Sequence, residues 1–165
     1  MGDTGWKTSV TVAAIVERDG RYLVVEEHTP DGLMLNNPAG HLDPGESPVE
    51  GVIRETLEET GCRFTPQALV GVYLSRAQRA APPSDVTFVR LAFCGDVGGP
   101  LPGRALDPEI VRVLWLTPEE LRVQRSRHRS PLLMRCVDDH RAGRRYPLEL
   151  IYSDPSVGLP PMGQP

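Results

Sequence analysis

The sequence predicts an α/β fold, a mixed sheet flanked by helices in an α/β/α sandwich, on three observations. Short β-rich runs are interspersed with helical segments along the chain. The stretch between Ser47 and Gly61 carries complete start and stop signals for an amphipathic helix. A length of 165 residues, with 39% hydrophobic and 24% charged residues, suits one soluble domain that buries a core without disulfide staples. That domain is expected over residues 1–153, and residues 154–165, rich in Pro and Gly, read as a disordered tail.

Met1 to Lys7 is polar and reads as a loose lead-in. Ser9 to Glu17 is β-rich and nearly continuous in its apolar content, as in a strand buried on both faces. Asp19-Gly20 is a hairpin turn signal, with Arg21 to Glu27 as the returning strand. Thr29 to Pro38 reads as loop, interrupted by the apolar patch Leu33-Met34-Leu35. Ala68 to Ser75 and Val86 to Cys94 are strands, with a polar loop from Arg76 to Asp85 between them. Gly95 to Pro108 is a Gly/Pro-rich connection to the last strand, Glu109 to Leu116. Thr117-Pro118-Glu119-Glu120 is a capping box opening a short helix, and Ser130-Pro131 opens another that runs to about Arg141 and stops at Gly143.

The helix after Ser47 holds the chemistry. Ser47 is the N-cap, Pro48 the first helical residue, Glu50 completes the capping box, and Gly61 is the stop. Val49, Val52, Ile53, Thr56, Leu57 and Thr60 share one face. Glu55, Glu58 and Glu59 occupy an arc on the other side and repel one another, a few tenths of a kcal/mol per like pair. Gly51 adds about 1 kcal/mol relative to alanine. A solvated acidic face is one reading of this pattern. The other is a site for a hard divalent cation, because clustered carboxylate oxygens are what Mg²⁺ or Mn²⁺ takes.

The preceding loop discriminates between these readings. Gly40, five residues, Glu46, seven residues, Arg54-Glu55, two residues, Glu58-Glu59, one residue and Gly61-Cys62 resembles the Nudix box. Thr56 stands where the family usually has an aliphatic residue. Val10 to Ala13, Leu23 to Glu27, Asn37 to Leu42, Arg129 to Leu132 and Arg145 to Glu149 further resemble the NudJ phosphatase branch of that family. The resemblance implies a Nudix-type sandwich that hydrolyses a diphosphate linked to another group, X, with Mg²⁺ or Mn²⁺. It implies Gly40, Glu55, Glu58 and Glu59 as metal ligands, with Glu55 either a ligand or the base. It also implies an ion pair between Glu46 and Arg54 that locks the loop against the helix. Asp107 and Glu109, or Glu26 and Glu27, are candidates for a further acid that many members supply from a distant loop or strand.

For substrate, Arg90 lies inside an apolar run and calls for either phosphate or a carboxylate such as Glu26. Arg122, Arg125, Arg127, His128 and Arg129 form a basic cluster that could hold a terminal phosphate at a helix N-terminus or be a solvated loop. His41 could touch substrate or brace its loop. Tyr73 and Trp115 are the available base-stacking candidates, and 5% aromatic content implies weak reading of a base. The resemblance implies nucleoside tri- and diphosphates and thiamine-pathway pyrophosphates as substrates. Alternatives are a pyrophosphatase that removes one damaged nucleotide, or a non-catalytic regulator, a class that often loses the box glutamates retained here.

A net charge of -4 argues against a nucleic-acid polymer or membrane surface as partner. Three scattered cysteines and no apolar leader point to reduced thiols in the cytoplasm. A monomer or homodimer acting on a small phosphorylated molecule is expected.

Overall fold

The computed structural model describes residues 6–160. Two sheets carry the architecture. The first has the order β5-β1-β7-β6, comprising β5 (Ala39–His41), β1 (Trp6–Ile15), β7 (Pro83–Pro100) and β6 (Cys62–Ala80). It is mixed, because β1 runs parallel to β7 while the other pairs are antiparallel. The second is antiparallel: β3 (Arg21–Thr29) pairs with β2 (Glu17–Arg18), β4 (Gly32–Asn36) and β8 (Ile110–Leu116). Helices α1 (Pro48–Thr60), α2 (Pro118–Val123) and α3 (Leu132–Arg141) complete the fold.

Strand β1 shows why its sequence is almost continuously apolar. Val12 and Ala14 enter a core with Val52 of α1, Phe64 and Phe93, whereas Ile15 enters a second core with Val70, Cys136 and Val137, on the α3 side. Both faces of the first sheet are thus covered, as in an α/β sandwich. Cys62, Cys94 and Cys136 are buried free thiols within these cores. No helix among the described residues is long and apolar enough to cross a membrane.

Five segments differ from the expectation. Trp6 and Lys7 belong to β1, where they pair with Asp85 and Val86; residues 1–5 of the expected lead-in lie outside the described residues. Thr29 to Pro38 is not a plain loop, since Gly32–Asn36 pairs with β3 around a turn at Pro30-Asp31 and Gly32 takes a φ of 105. Arg76 to Asp85 is not a loop either: β6 and β7 form one long hairpin reaching Ala80↔Pro83. Its outer rungs are held by polar pairs, with Arg76 Nε donating to Asp85 Oδ1 at 2.7 Å. A ribbon exposed on both faces carries no apolar alternation to detect. Residues 95–100 of the expected connection belong to β7 and pair with β6; Gly95 stands there at a register shift, where an added Cβ would lie 2.0 Å from the Thr65 carbonyl oxygen. Finally, Pro155–Gly158 of the expected tail form a 3₁₀ turn capped by Asp154, and residues 161–165 lie outside the described residues.

Candidate active site

Helix α1 forms with the caps its sequence specifies. Ser47 Oγ accepts from the Glu50 N–H at 3.3 Å, Glu50 Oε2 accepts from the Ser47 N–H at 2.7 Å, and Gly61 closes the helix at φ 70. Thr56 and Thr60 are buried, yet each hydroxyl donates to the carbonyl four residues earlier, at 2.7 and 2.6 Å. That bond lets a threonine stand where an aliphatic residue is usual.

The acidic side of α1 is not a solvated face. Glu55 is 8% exposed and Glu59 7% exposed, both turned into a cavity. Arg54 organises them. Its Nε and one terminal nitrogen donate to the two oxygens of Glu46, at 2.9 and 2.7 Å, the ion pair expected from the sequence. The other terminal nitrogen donates to Glu55 at 2.8 Å and Glu58 at 3.0 Å, and a further bond reaches the His41 carbonyl at 2.9 Å. The planar fork of arginine is therefore used on every side. It holds the Glu46 carboxyl below its usual range and its own pKa above the usual one.

Two glycines exist for close approach. A Cβ on Gly40 would lie 2.1 Å from the Glu55 carboxyl carbon, so the β5 backbone lies directly against this acid. A Cβ on Gly51 would lie 2.9 Å from Glu46 Oε1 and 3.0 Å from Leu42 Cδ1, so its helix penalty is the cost of bringing Glu46 to Arg54.

Of the distant acids considered, the fold delivers Asp107. Its N–H donates to the Glu58 carbonyl at 3.0 Å and the Leu101 N–H to the Gly61 carbonyl at 2.9 Å, so this loop satisfies carbonyls left open at the end of α1. Carboxylate oxygens of Glu55, Glu58 and Asp107 lie within 4.8 Å of one another. Three hard oxygen donors so close fit a divalent cation of the Mg²⁺ type. Glu59 is outside that triple and accepts from the Ala39 N–H at 2.9 Å. Burial, and repulsion from Glu27, Glu55 and Asp107, push its carboxyl up to about 9 despite that bond. Burial likewise raises Glu55, against the pull of Arg54. Glu109 lines the cavity without joining the cluster, and its carbonyl accepts from the His28 N–H.

The cavity holds about 730 Å³. Besides the acids it is lined by Phe88 and Arg90 of β7, Glu27 and Asn36 of the second sheet, and Arg129 before α3. Here several expectations are corrected. Glu26 does not pair with Arg90; it is buried and bonded to Arg112 and Arg127. Glu27 is not in the acid cluster; it is a buried carboxylate paired with Arg129, its pKa raised by burial. The basic cluster is largely tied down, with Arg122 on Glu119 and Asp138, and only Arg129 of its members lines the cavity. Tyr73 donates to Asp139, and Trp115 lies under Arg18 with the guanidinium 4.8 Å from its ring, so neither lines the cavity. The aromatic surface there is Phe88, with the His41 ring 6.3 Å away. In sequence Phe88 is one residue of the apolar run Val86 to Cys94. It pairs with Ser9 of β1 and Ser75 of β6 inside the first sheet, yet it is only partly buried and lines the cavity.

Such a fold, with an arginine-locked carboxylate cluster on a loop-helix facing a polar cavity, is that of a phosphoanhydride hydrolase. A NUDIX domain model matches residues 6–135, and the chain belongs to the Nudix family. It is 36% identical over 146 residues to phosphatase NudJ of Escherichia coli K12 and to that of Shigella flexneri, covering 88% of this chain and 92% of each relative. Among solved structures it is similar to a NUDIX hydrolase from Nitrosomonas europaea, at 44% identity and a TM-score of 0.80, covering 89% of this chain and 97% of that one. A MutT NUDIX hydrolase from Burkholderia pseudomallei, 21% identical with a TM-score of 0.64, covering 80% of this chain and 97% of its own, shares the fold. The chain is a Nudix hydrolase of phosphoanhydrides.

Proposed function

We propose that this hydrolase is a Mg²⁺- or Mn²⁺-supported phosphatase. Its substrates are nucleoside tri- and diphosphates and thiamine-pathway pyrophosphates such as hydroxymethylpyrimidine pyrophosphate and thiamine pyrophosphate. The observation that carries this reading is the Arg54-centred carboxylate cluster opening onto a cavity whose other side holds Arg90 and Arg129. Similarity to NudJ phosphatases over most of both chains supports the substrate class. Sparse aromatic lining supports weak reading of a base.

Glu55, Glu58 and Asp107 would hold the ion, with Glu59 and the Gly40 carbonyl beside them. When bound, the ion supplies charge neutralisation at phosphate oxygens and makes a water more acidic. The protein's own residues do the positioning. Arg54 holds Glu55 and Glu58 in one arrangement, and Glu46 holds Arg54. Glu55 is a ligand or the base that takes the water's proton. Arg90 and Arg129 meet phosphate oxygens, while His41 and Glu109 line the path of the substrate. The enzyme works in the cytoplasm, as a monomer or homodimer, on small molecules rather than polymers or membranes. Phosphate release from a panel of nucleoside tri- and diphosphates and thiamine pyrophosphate at millimolar Mg²⁺ tests this. Turnover of several members is expected, and no release from any of them refutes it.

A further inference from the structure

One corner of the cavity carries a positive charge that the protein does not neutralise. Arg90 is 6% exposed, and among the described residues no carboxylate lies within ion-pair distance of it. Its guanidinium makes two long contacts, to Asn37 Oδ1 at 3.4 Å and Asn36 Oδ1 at 3.3 Å, and the Cys136 thiol, a weak partner, lies beside it. Two buried carboxylates that line the same cavity are engaged elsewhere, Glu27 with Arg129 and Glu59 with the Ala39 N–H. The buried side-chain polar atoms without a hydrogen-bond partner among the described residues are Arg90 Nε, Asn37 Nδ2 and Glu27 Oε1. Two of the three are donors, and both belong to the Arg90–Asn37 pair.

A guanidinium does not shed its proton, and a buried charge left unpaired is strongly unfavourable. Arg90 therefore waits for an anion that is absent from the chain. The same cavity is lined by the carboxylates that suit a cation and by Arg90, which feels the Glu59 carboxyl and the Cys136 thiol but has no carboxylate at ion-pair distance among the described residues. Phe88 and His41, the aromatic lining, are both more exposed than Arg90.

We propose that Arg90, with the Asn37 amide beside it, seats the terminal phosphate of the substrate, so that the molecule enters phosphate end first and leaves X toward His41 and Phe88. This rests on the phosphatase reading above, which already has orthophosphate as the product, and adds the seat for the terminal phosphate and the direction of binding. Water adds to phosphorus at the terminal anhydride, and the bridging P–O bond breaks with its electron pair going to the departing phosphate. One proton is released, and the products are orthophosphate and an X-phosphate shortened by one. With X outside the buried corner, one seat serves substrates with unlike X groups.

The probe is inorganic orthophosphate, first with metal-free protein. Orthophosphate should raise the melting temperature of the wild type. Arg90→Met should lose that shift while melting at or above the wild type without phosphate, because an apolar chain replaces an unpaired charge. A merely structural arginine would instead melt lower on substitution. In Mg²⁺ turnover assays the inhibition constant for orthophosphate should rise about tenfold or more in Arg90→Met. Arg90→Lys, which keeps the charge and guards against a folding failure of the first variant, should fall between. A phosphate shift that survives in Arg90→Met, or pyrophosphate as the product from a nucleoside triphosphate, overturns the seat. An Arg90-dependent shift without turnover of any substrate supports the seat while refuting the phosphatase reading. Turnover with Arg90-independent phosphate binding does the reverse.

Discussion

The two sides of the cavity are built in opposite ways. The α1 side comes from one continuous stretch, Gly40 to Cys62, in which Arg54 gathers Glu46, Glu55 and Glu58 within eight residues of itself. The other side is assembled from β3, β4, β7 and the segment before α3, so that Glu27 meets Arg129 and Arg90 meets Asn36 across more than fifty residues. On the first side Glu46, Glu55 and Glu58 all pair with Arg54. On the second Arg90 has no carboxylate at ion-pair distance among the described residues. The contrast separates chemistry from recognition: a crowded, cross-braced set of acids holds its geometry before substrate arrives, while an incompletely paired wall is completed by substrate.

Substitutions on the two sides should therefore fail differently. The largest effect is expected for Glu58→Gln or Glu59→Gln, which should lower kcat by several orders of magnitude with the fold intact. Mg²⁺ should raise the melting temperature of the wild type but do so much less in these variants, which a thermal melt with and without metal measures. Next is Arg54→Lys. A point charge cannot span Glu46, Glu55, Glu58 and the His41 carbonyl, so kcat should drop about a hundredfold and stability by about 2–3 kcal/mol, read by urea unfolding. An unchanged unfolding curve would show that the brace is not needed for folding.

On the opposite side, Phe88→Ala should act mainly on KM, about tenfold for substrates with an aromatic X and less for those without, with a smaller change in kcat. Equal effects on both substrate types would place X elsewhere. The smallest effect lies away from the cavity. His140 bonds to the Tyr22 hydroxyl at 2.7 Å, and burial, then Arg145, lower its pKa to about 4. Because the folded pKa lies below the unfolded value of 6.5, the unfolded chain binds the proton first. Stability is lost as pH falls from about 6.5 to about 4, by about 1 kcal/mol once screening at a half-buried ring is allowed for. Melting curves across that range should show a shallower slope in His140→Gln.

Much of the α1 side was legible from residue order. Ser47, Pro48, Glu50 and Gly61 act on backbone groups within four positions, and the Glu46–Arg54 pair spans one loop and two helical turns. The caps are local, so spacing specifies them; the ion pair was implied by the resemblance of the stretch to the Nudix box. The opposite side was legible in kind but not in partnership. Arg90 was recognisable as a charge in an apolar run, but which acid would meet it was not, because Glu26 faces Arg112 and Arg127 instead. The long β6–β7 hairpin was missed because its outer rungs have no buried face to impose alternation.

From residue identity and spacing came the capped helix and its acid cluster, since each is settled by geometry within a few turns of chain; the fold class came from the order of elements, and the brace from the resemblance to the Nudix box. The packing of distant segments alone settled that Asp107 rather than Glu109 joins those acids, that Glu55 and Glu59 are buried, and that Arg90 is left without a counter-charge. Strand register decides which far-apart side chains share a face, and neighbours across a sheet leave no trace in the order of residues.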